Sequence, residues 1–363
     1  MTTHEFRIEH DLLGERQVPD SAYYGIHTLR ALENFPITGT PISIYPELIN
    51  ALACVKQAAA HANQELGLLD ERHTAAIIQA CREIRAGELH QEFVVDVIQG
   101  GAGTSANMNA NEVIANRALE LLGFEKGDYA HLHPMDHVNL SQSTNDVYPT
   151  AINVALRFGL ERLLTAMIGL RREFELKAQE FADVLKMGRT QLQDAVPMTL
   201  GQEFSTYAVM IGEDEQRLRE AALLIQEINL GATAIGTGIN ADPDYAALVC
   251  RYLADISGIH MVTAPNLVEA TQDAGAFVQL SGVLKRVAVK LSKICNDLRL
   301  LSSRSSRTAC SRASRTCVRR VSRWRIAACA ESPPIANGCA AWSKNRSDWS
   351  PRSTRTSAMR TRR

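Results

Sequence analysis

The first 303 residues of this chain contain no tryptophan, and the last 60 contain no leucine, phenylalanine or tyrosine. A segment with so few aliphatic residues cannot bury enough surface to offset its ordering entropy, so 304–363 is expected to be disordered and to add nothing to a core. Nowhere does an apolar run approach the roughly 18–20 residues of a membrane span. The opening Met1-Thr2-Thr3-His4-Glu5-Phe6-Arg7 carries early charges and no apolar stretch, which argues against a secretory leader. Cys54, Cys81, Cys250 and Cys295 lie far apart and form no CxxC pair, so they read as buried thiols of a reducing, cytoplasmic protein rather than a disulfide or metal set.

Net charge is also scarce, a formal −1, but the balance is deceptive. Residues 304–363 carry fourteen Arg and one Lys against Glu331 and Asp348, about +13. The remaining 24 basic and 38 acidic residues put 1–303 near −14. All three Trp (Trp324, Trp342, Trp349) and half of the eight Cys also fall in the tail. A genuine basic, Trp-bearing tail would suit nucleic acid. Out-of-frame translation explains the missing Leu and the extra Cys as well as the Arg, so no nucleic-acid partner is expected.

What the body has is helical periodicity. Apolar spacing predicts helices over 47–66, 70–86, 104–122, 143–182, 198–230 and 271–303. Three of these exceed the ordinary length of about 11–12 residues by far. The expected fold is mainly α, with an N-terminal helical domain (1–142), a long-helix bundle (143–303) that is incomplete or truncated, and the unrelated tail (304–363).

Four polar or glycine-rich segments interrupt the helices. Gln99-Gly100-Gly101-Ala102-Gly103-Thr104 opens a helix and lets backbone approach an anion, though a flexible turn with Thr104 as N-cap reads as well. His133 to Asp146 ends in Ser143-Thr144-Asn145-Asp146, two hydroxyls and an amide at a helix start, a carboxylate cradle without formal positive charge. A capping box beside a solvated loop is the plainer reading. His133 and His137 lack a third metal ligand at sensible spacing, so no metal is expected. Lys186 to Pro197 reads as a loop between long helices, with donors Thr190 and Gln191, and with Arg189 free for a carboxylate or paired to Asp194. Gly231 to Asn240 has no Walker lysine, which argues against a nucleotide.

Together these segments resemble the aspartase/fumarase superfamily from about Arg7 to Ser303. Within it, the entry segment Asp11-Leu12-Leu13-Gly14 … Tyr23-Tyr24-Gly25-Ile26-His27-Thr28-Leu29-Arg30, Gly-Gly-Ala-Gly-Thr-Ser at 100–105, Ser-Thr-Asn-Asp at 143–146 and Lys-Met-Gly-Arg-Thr-Gln at 186–191 are similar to the aspartate ammonia-lyases. Fumarate hydratase-type lyases, the alternative, typically carry Ser-Ser-Asn-Asp in the later motif. The resemblance implies reversible anti-elimination of ammonia from L-aspartate to give fumarate through an aci-carboxylate, without a cofactor, in a homotetramer whose site draws on three subunits. It implies that Thr104, Ser143 and Thr144 hold the β-carboxylate, that Asn145 contacts substrate near the amino group, and that Thr190 and Gln191 help hold the α-carboxylate. Arg30 would assist electrostatically.

The resemblance stops abruptly after Asn296 to Ser303. The family's general base is a serine on a loop of the form Gly-Ser-Ser-x-Met-Pro-x-Lys-x-Asn-Pro, and these 363 residues contain no such segment, so the catalytic base is unassigned. A reading-frame shift is the simplest account. Sequencing the gene across codons 295–310 is expected to find a one-base insertion or deletion, with Gly-Ser-Ser-x-Met-Pro encoded in the next frame. An intact frame there would make the basic tail genuine.

Overall fold

The computed structural model describes residues 5–99, 101 and 103–304, the last three as backbone. The readings made for the tail therefore lie outside the described residues. The chain divides at Lys285, and beyond that point only residues 286–304 of the final helix are described.

An antiparallel hairpin opens the chain, β1 (Phe6–Asp11) and β2 (Gly14–Pro19), with Phe6 opposite Pro19 and Asp11 opposite Gly14. Helices α1 (Ile26–Asn34), α2 (Pro46–Glu65), α3 (Glu71–Arg85) and α4 (Thr104–Leu121) follow. The 37-residue α5 (Thr144–Glu180) runs out to a second hairpin, β3 (Leu185–Thr190) and β4 (Gln193–Thr199), and α6 (Leu200–Leu224) packs back along α5. Then come β5 (Glu227–Ile228), α7 (Tyr245–Ser257), β6 (Val262–Thr263), which pairs in parallel with β5, α8 (Leu267–Gln272) and α9 (Gly275–Arg304).

The fold is mainly helical, as the periodicity predicts. Its differences from that reading have local causes. The helix expected to reach residue 230 ends at Leu224, where the chain turns into β5. The segment expected as a loop over 186–197 is the β3–β4 hairpin, turned by Gln191 and Leu192 at φ +49° and +65°. Such turns favour Asn-Gly or Asp-Gly, and Gly188 and Pro197 read as strand breakers, so the hairpin carries no ordinary signal. The small hairpin β1–β2 and the helices α1 and α7 also went unread.

Helix α2 explains how the core is organised. Its run Ala51-Leu52-Ala53-Cys54-Val55-Lys56-Gln57-Ala58-Ala59-Ala60 is buried throughout. Small side chains let α3, α5 and α7 approach it closely, and a helix buried on every side belongs in the centre of the packing. At the far end of α5, Phe174, Phe181, Phe204 and Tyr207 interlock, with Phe174 and Tyr207 edge-on at 5.5 Å and Phe181 and Phe204 at 5.4 Å. These contacts pin α6 to α5 just before the hairpin.

The start of α1 shows how a polar group is placed in this core. Its N-cap, Gly25, has no side chain to satisfy the free N–H groups of the first turn. Glu112 of α4, fully buried, does so instead. Its carboxylate accepts from Gly25 N–H at 2.9 Å, His27 N–H at 2.8 Å and Thr28 N–H at 3.0 Å, and lies 3.1 Å from His27 Nδ1. The negative charge also faces the positive end of the helix dipole. Each buried N–H left unpaired costs about 1–3 kcal/mol. Glu112→Ala is therefore expected to lower unfolding free energy by about 3 kcal/mol or more, read as a shift of the urea midpoint. A loss below about 1 kcal/mol would mean that α1 does not depend on this carboxylate.

Candidate active site

The starts of α4 and α5 converge. Gly103 precedes α4 at φ +87°, and a Cβ there would stand 2.2 Å from the Tyr148 ring on α5. Only glycine permits both the conformation and the approach. Thr104, read from the sequence as an N-cap, is instead the first helical residue, and its side chain is exposed. Gly100 and Ala102 lie outside the described residues. Ser143 caps α5: its Oγ accepts from Asn145 N–H at 3.3 Å, and its N–H donates to Asp146 Oδ1 at 3.0 Å. This is the capping box the pattern suggested.

An amide network stands behind Thr144. Asn107 Nδ2 on α4 donates to Thr144 Oγ1 at 3.1 Å and to Asn139 Oδ1 at 3.1 Å. Asn139 Oδ1 also accepts from Asn111 Nδ2 at 3.1 Å and from Lys56 Nζ at 2.9 Å, and Lys56 Nζ reaches Gln142 Oε1 at 2.9 Å. Since Thr144 Oγ1 already accepts from Asn107, its own proton is left to donate to another group. Lys56 is fully buried, and desolvation brings its ammonium down to about 7, opposed by the charge of Asp146.

The fourth glycine-rich segment is fastened to the same place. Asp146 Oδ2 accepts from Thr233 N–H at 2.8 Å and Gly231 N–H at 3.1 Å. Gly231 sits at φ +96° with Ala246 against it, so a Cβ would lie 2.6 Å from the Ala246 methyl. Asn145 Nδ2 donates to the Ala234 carbonyl at 2.7 Å. Pro149 has no N–H to give to the carbonyl of Asn145 one turn back. Asn229 Nδ2 takes that carbonyl at 3.0 Å and also reaches Thr271 Oγ1 at 3.1 Å. The proline that interrupts the helix ladder thus provides the acceptor that ties the return segment to α5. Beside these groups opens a cleft of about 880 Å³ whose lining includes Gly103, Asn145, Tyr148 and Asn229.

Thr104, Ser143, Thr144 and Asn145 are thus gathered at two adjoining helix starts. Thr190 and Gln191 are not among them. They sit exposed at the tip of the β3–β4 hairpin, beyond the other end of α5. A 37-residue helix is about 55 Å long, whereas the hairpin reaches only about 20 Å. Arg189 pairs with Asp194 at 3.0 Å. Arg30 is held by both Asp11 oxygens, at 2.6 and 2.7 Å, and by the Gly14 carbonyl. His133 Nδ1 accepts from Met135 and Asp136 N–H, and His137 Nδ1 from His133 N–H, so both rings serve a local turn. Lys56, Asn107, Asn139 and Asn229 were missed in the sequence. The available signal was a single lysine within an alanine-rich helix, and four asparagines inside α4, where asparagine is a poor helix former.

The sequence model of one family, described as lyase, matches residues 14–314. The aspartate ammonia-lyase of Pseudomonas fluorescens is 63% identical over 299 residues, 82% of this chain and 63% of that protein. That of Helicobacter pylori is 58% identical over 297 residues, 82% of this chain and 64% of that one. That of Escherichia coli is 55% identical over 302 residues, 83% and 63% respectively. The chain therefore spans a little under two thirds of the length of these curated relatives. Among solved structures, a Brucella melitensis protein described as fumarate lyase:delta crystallin, bound to cobalt, superposes with TM-score 0.81 at 51% identity. That match covers 90% of this chain and 76% of that one. A class II fumarase from Schistosoma mansoni gives 0.78 at 34% identity, covering 82% and 66%.

Burial raises the Asp146 carboxyl to about 6, with its three backbone donors and Lys56 opposing. Its folded value exceeds its unfolded value of 3.8. The stability it contributes is therefore full below pH 3.8 and is lost as pH rises through about 6. In urea unfolding at pH 4–7, the wild-type chain is expected to lose about 2–3 kcal/mol relative to Asp146→Asn as pH rises through that window. Parallel profiles would show that Asp146 does not titrate in the folded state.

Proposed function

The chain belongs to the lyase family, and we propose that its body is built for aspartate ammonia-lyase chemistry: L-aspartate loses a proton from the carbon beside its β-carboxylate and then ammonia, giving fumarate and ammonium. The observation that carries this reading is the gathering of Thr104, Ser143, Thr144 and Asn145 at two helix starts, in a body that is 55–63% identical to aspartate ammonia-lyases. The difficult step makes a carbanion, which persists only if its charge moves onto the β-carboxylate as an aci-carboxylate. Fixed donors aimed at those oxygens stabilise that state more than the substrate. Helix N–H groups, the Ser143 and Thr104 hydroxyls and an outward Thr144 proton are such donors, and they need no formal charge.

Thr190 and Gln191 take the α-carboxylate, but in the site of another copy. The length of α5 supports this, as does the hairpin itself, whose Leu185, Leu192 and Val196 are exposed and whose turn holds two non-glycine residues at positive φ. Such strain costs about 1–3 kcal/mol per residue and is usually retained where a tip has work to do. The reading therefore includes a homotetramer with composite sites. A fumarase-like reading is disfavoured by Ser-Thr-Asn-Asp at 143–146.

The proton acceptor is absent from these 363 residues, and removing a positioned base costs about 10²–10⁴-fold. The purified chain is expected to form fumarate from L-aspartate at least that much more slowly than the Pseudomonas fluorescens relative, followed by fumarate absorbance. Turnover comparable to that relative would overturn the assignment of an absent base. The cradle has its own check: L-aspartate should shift the backbone amide resonances of Thr104 and of Ser143 to Asn145. Unmoved resonances at millimolar aspartate would refute the cradle.

A further inference from the structure

A second cavity, of about 420 Å³, opens where α2, α3, α5 and α7 meet. Asn50 and Cys54 of α2, Arg85 of α3 and Phe158 and Arg162 of α5 are on its walls. Phe158 stands about 20 Å along α5 from Asn145, well away from the helix starts.

Arg85 is the unusual group. Every other half-buried arginine among the described residues holds a carboxylate: Arg7 has Glu9, Arg30 has Asp11, Arg117 has Glu83, Arg157 has Glu161 and Arg171 has Glu215. Arg85 has neutral partners instead, Gln57 Oε1 at 2.9 Å and the Ile256 carbonyl at 2.8 Å. That carbonyl belongs to the last turn of α7, and a helix end presents only about half a charge. Part of the guanidinium charge is therefore unmet, and these two bonds leave other N–H donors of the guanidinium unused. Asn50 adds an amide nitrogen that is given to no described residue. The one carboxylate on the wall is already engaged, since Glu47 pairs with Arg162. What remains is a surplus of one positive charge. Beside it stand the Phe158 ring and the Cys54 thiol, which burial keeps neutral by raising its pKa against the pull of Arg85.

We propose that this cavity binds an organic monocarboxylate, with its carboxylate on Arg85 and Asn50 and its apolar body against Phe158. Guanidinium–carboxylate hydrogen bonds are charge-assisted and roughly twice as strong as neutral ones. A single negative charge matches the surplus, whereas a dianion exceeds it. A bare inorganic ion leaves most of the space empty, because a cavity above about 300 Å³ has room for an organic molecule. The cavity shares no residue with the cradle, so the site does not depend on the lyase reading.

The test follows thermal unfolding of the full 363-residue chain with sodium benzoate, neutral benzamide or sodium phosphate, at one pH and ionic strength. Benzoate at saturating concentration is expected to raise Tm by about 2–4 °C over benzamide, with phosphate close to the benzamide value. The difference between benzoate and benzamide should vanish in Arg85→Gln, which removes the charge, and in Asn50→Asp, which sets a like charge on the same wall. The second variant keeps the test decisive if loss of the bonds to Gln57 and Ile256 prevents Arg85→Gln from folding. Equal effects of benzoate and benzamide, or a rise with phosphate as large as that with benzoate, would overturn the proposal. So would a difference that survives in Asn50→Asp, which is the outcome expected if benzoate acts at the cradle or at another basic surface.

Discussion

The buried carboxylate of Asp146 is the point on which the site is assembled. One oxygen closes the capping box of α5 and so sets the direction of Ser143, Thr144 and Asn145. The other takes the N–H groups of Gly231 and Thr233, more than eighty residues later in the chain. Together with the Asn145–Ala234 and Asn229–Asn145 bonds, it holds the start of α5 to the segment that returns from α6. Placing a carboxylate there has a cost, visible in the upward shift of its titration to about 6. That cost is tolerated because three backbone donors and the charge of Lys56 act on the same group.

Much of this was legible from sequence, but unevenly. The long helices announced themselves by spacing because one apolar stripe must repeat at three and four residues along each. The capping box was legible because its partners lie within four residues. The cradle's second layer was not. Asn107, Asn139 and Lys56 come from three separate segments, and only packing brings their polar atoms to about 3 Å. The β3–β4 hairpin escaped for the opposite reason, since its turn uses Gln191 and Leu192 where local rules call for glycine or asparagine. In both cases tertiary structure sets the outcome against local preference.

Pro149 shows how such an exception becomes a connection. Taken as a sequence feature, it sits near a helix start, where proline is best tolerated. In the fold it lies past the first turn and releases the carbonyl of Asn145. That carbonyl does not go unpaired: Asn229 uses it, and through Thr271 carries the link on to α8. The residue read as a substrate contact is therefore fixed at both ends, by its side chain to Ala234 and by its main chain to Asn229.

The amide side chains around the two helix starts are committed to different partners. At the helix starts, Asn139 Oδ1 and Gln142 Oε1 are turned inward toward Lys56, and Asn107 Nδ2 is given to Asn139 and Thr144, which leaves the Thr144 hydroxyl proton to donate elsewhere. Asn145 and Asn153 spend their amide nitrogens on the Ala234 and Glu227 carbonyls of the return segment instead. Lys56 gives the scheme its logic. Placed at the surface of the cradle, a lysine would bind substrate and transition state alike and would add little to rate. Buried behind Asn139, it orients neutral dipoles and leaves the cradle without a formal cation, which in the proposed chemistry would let stabilisation grow as negative charge develops on a bound carboxylate.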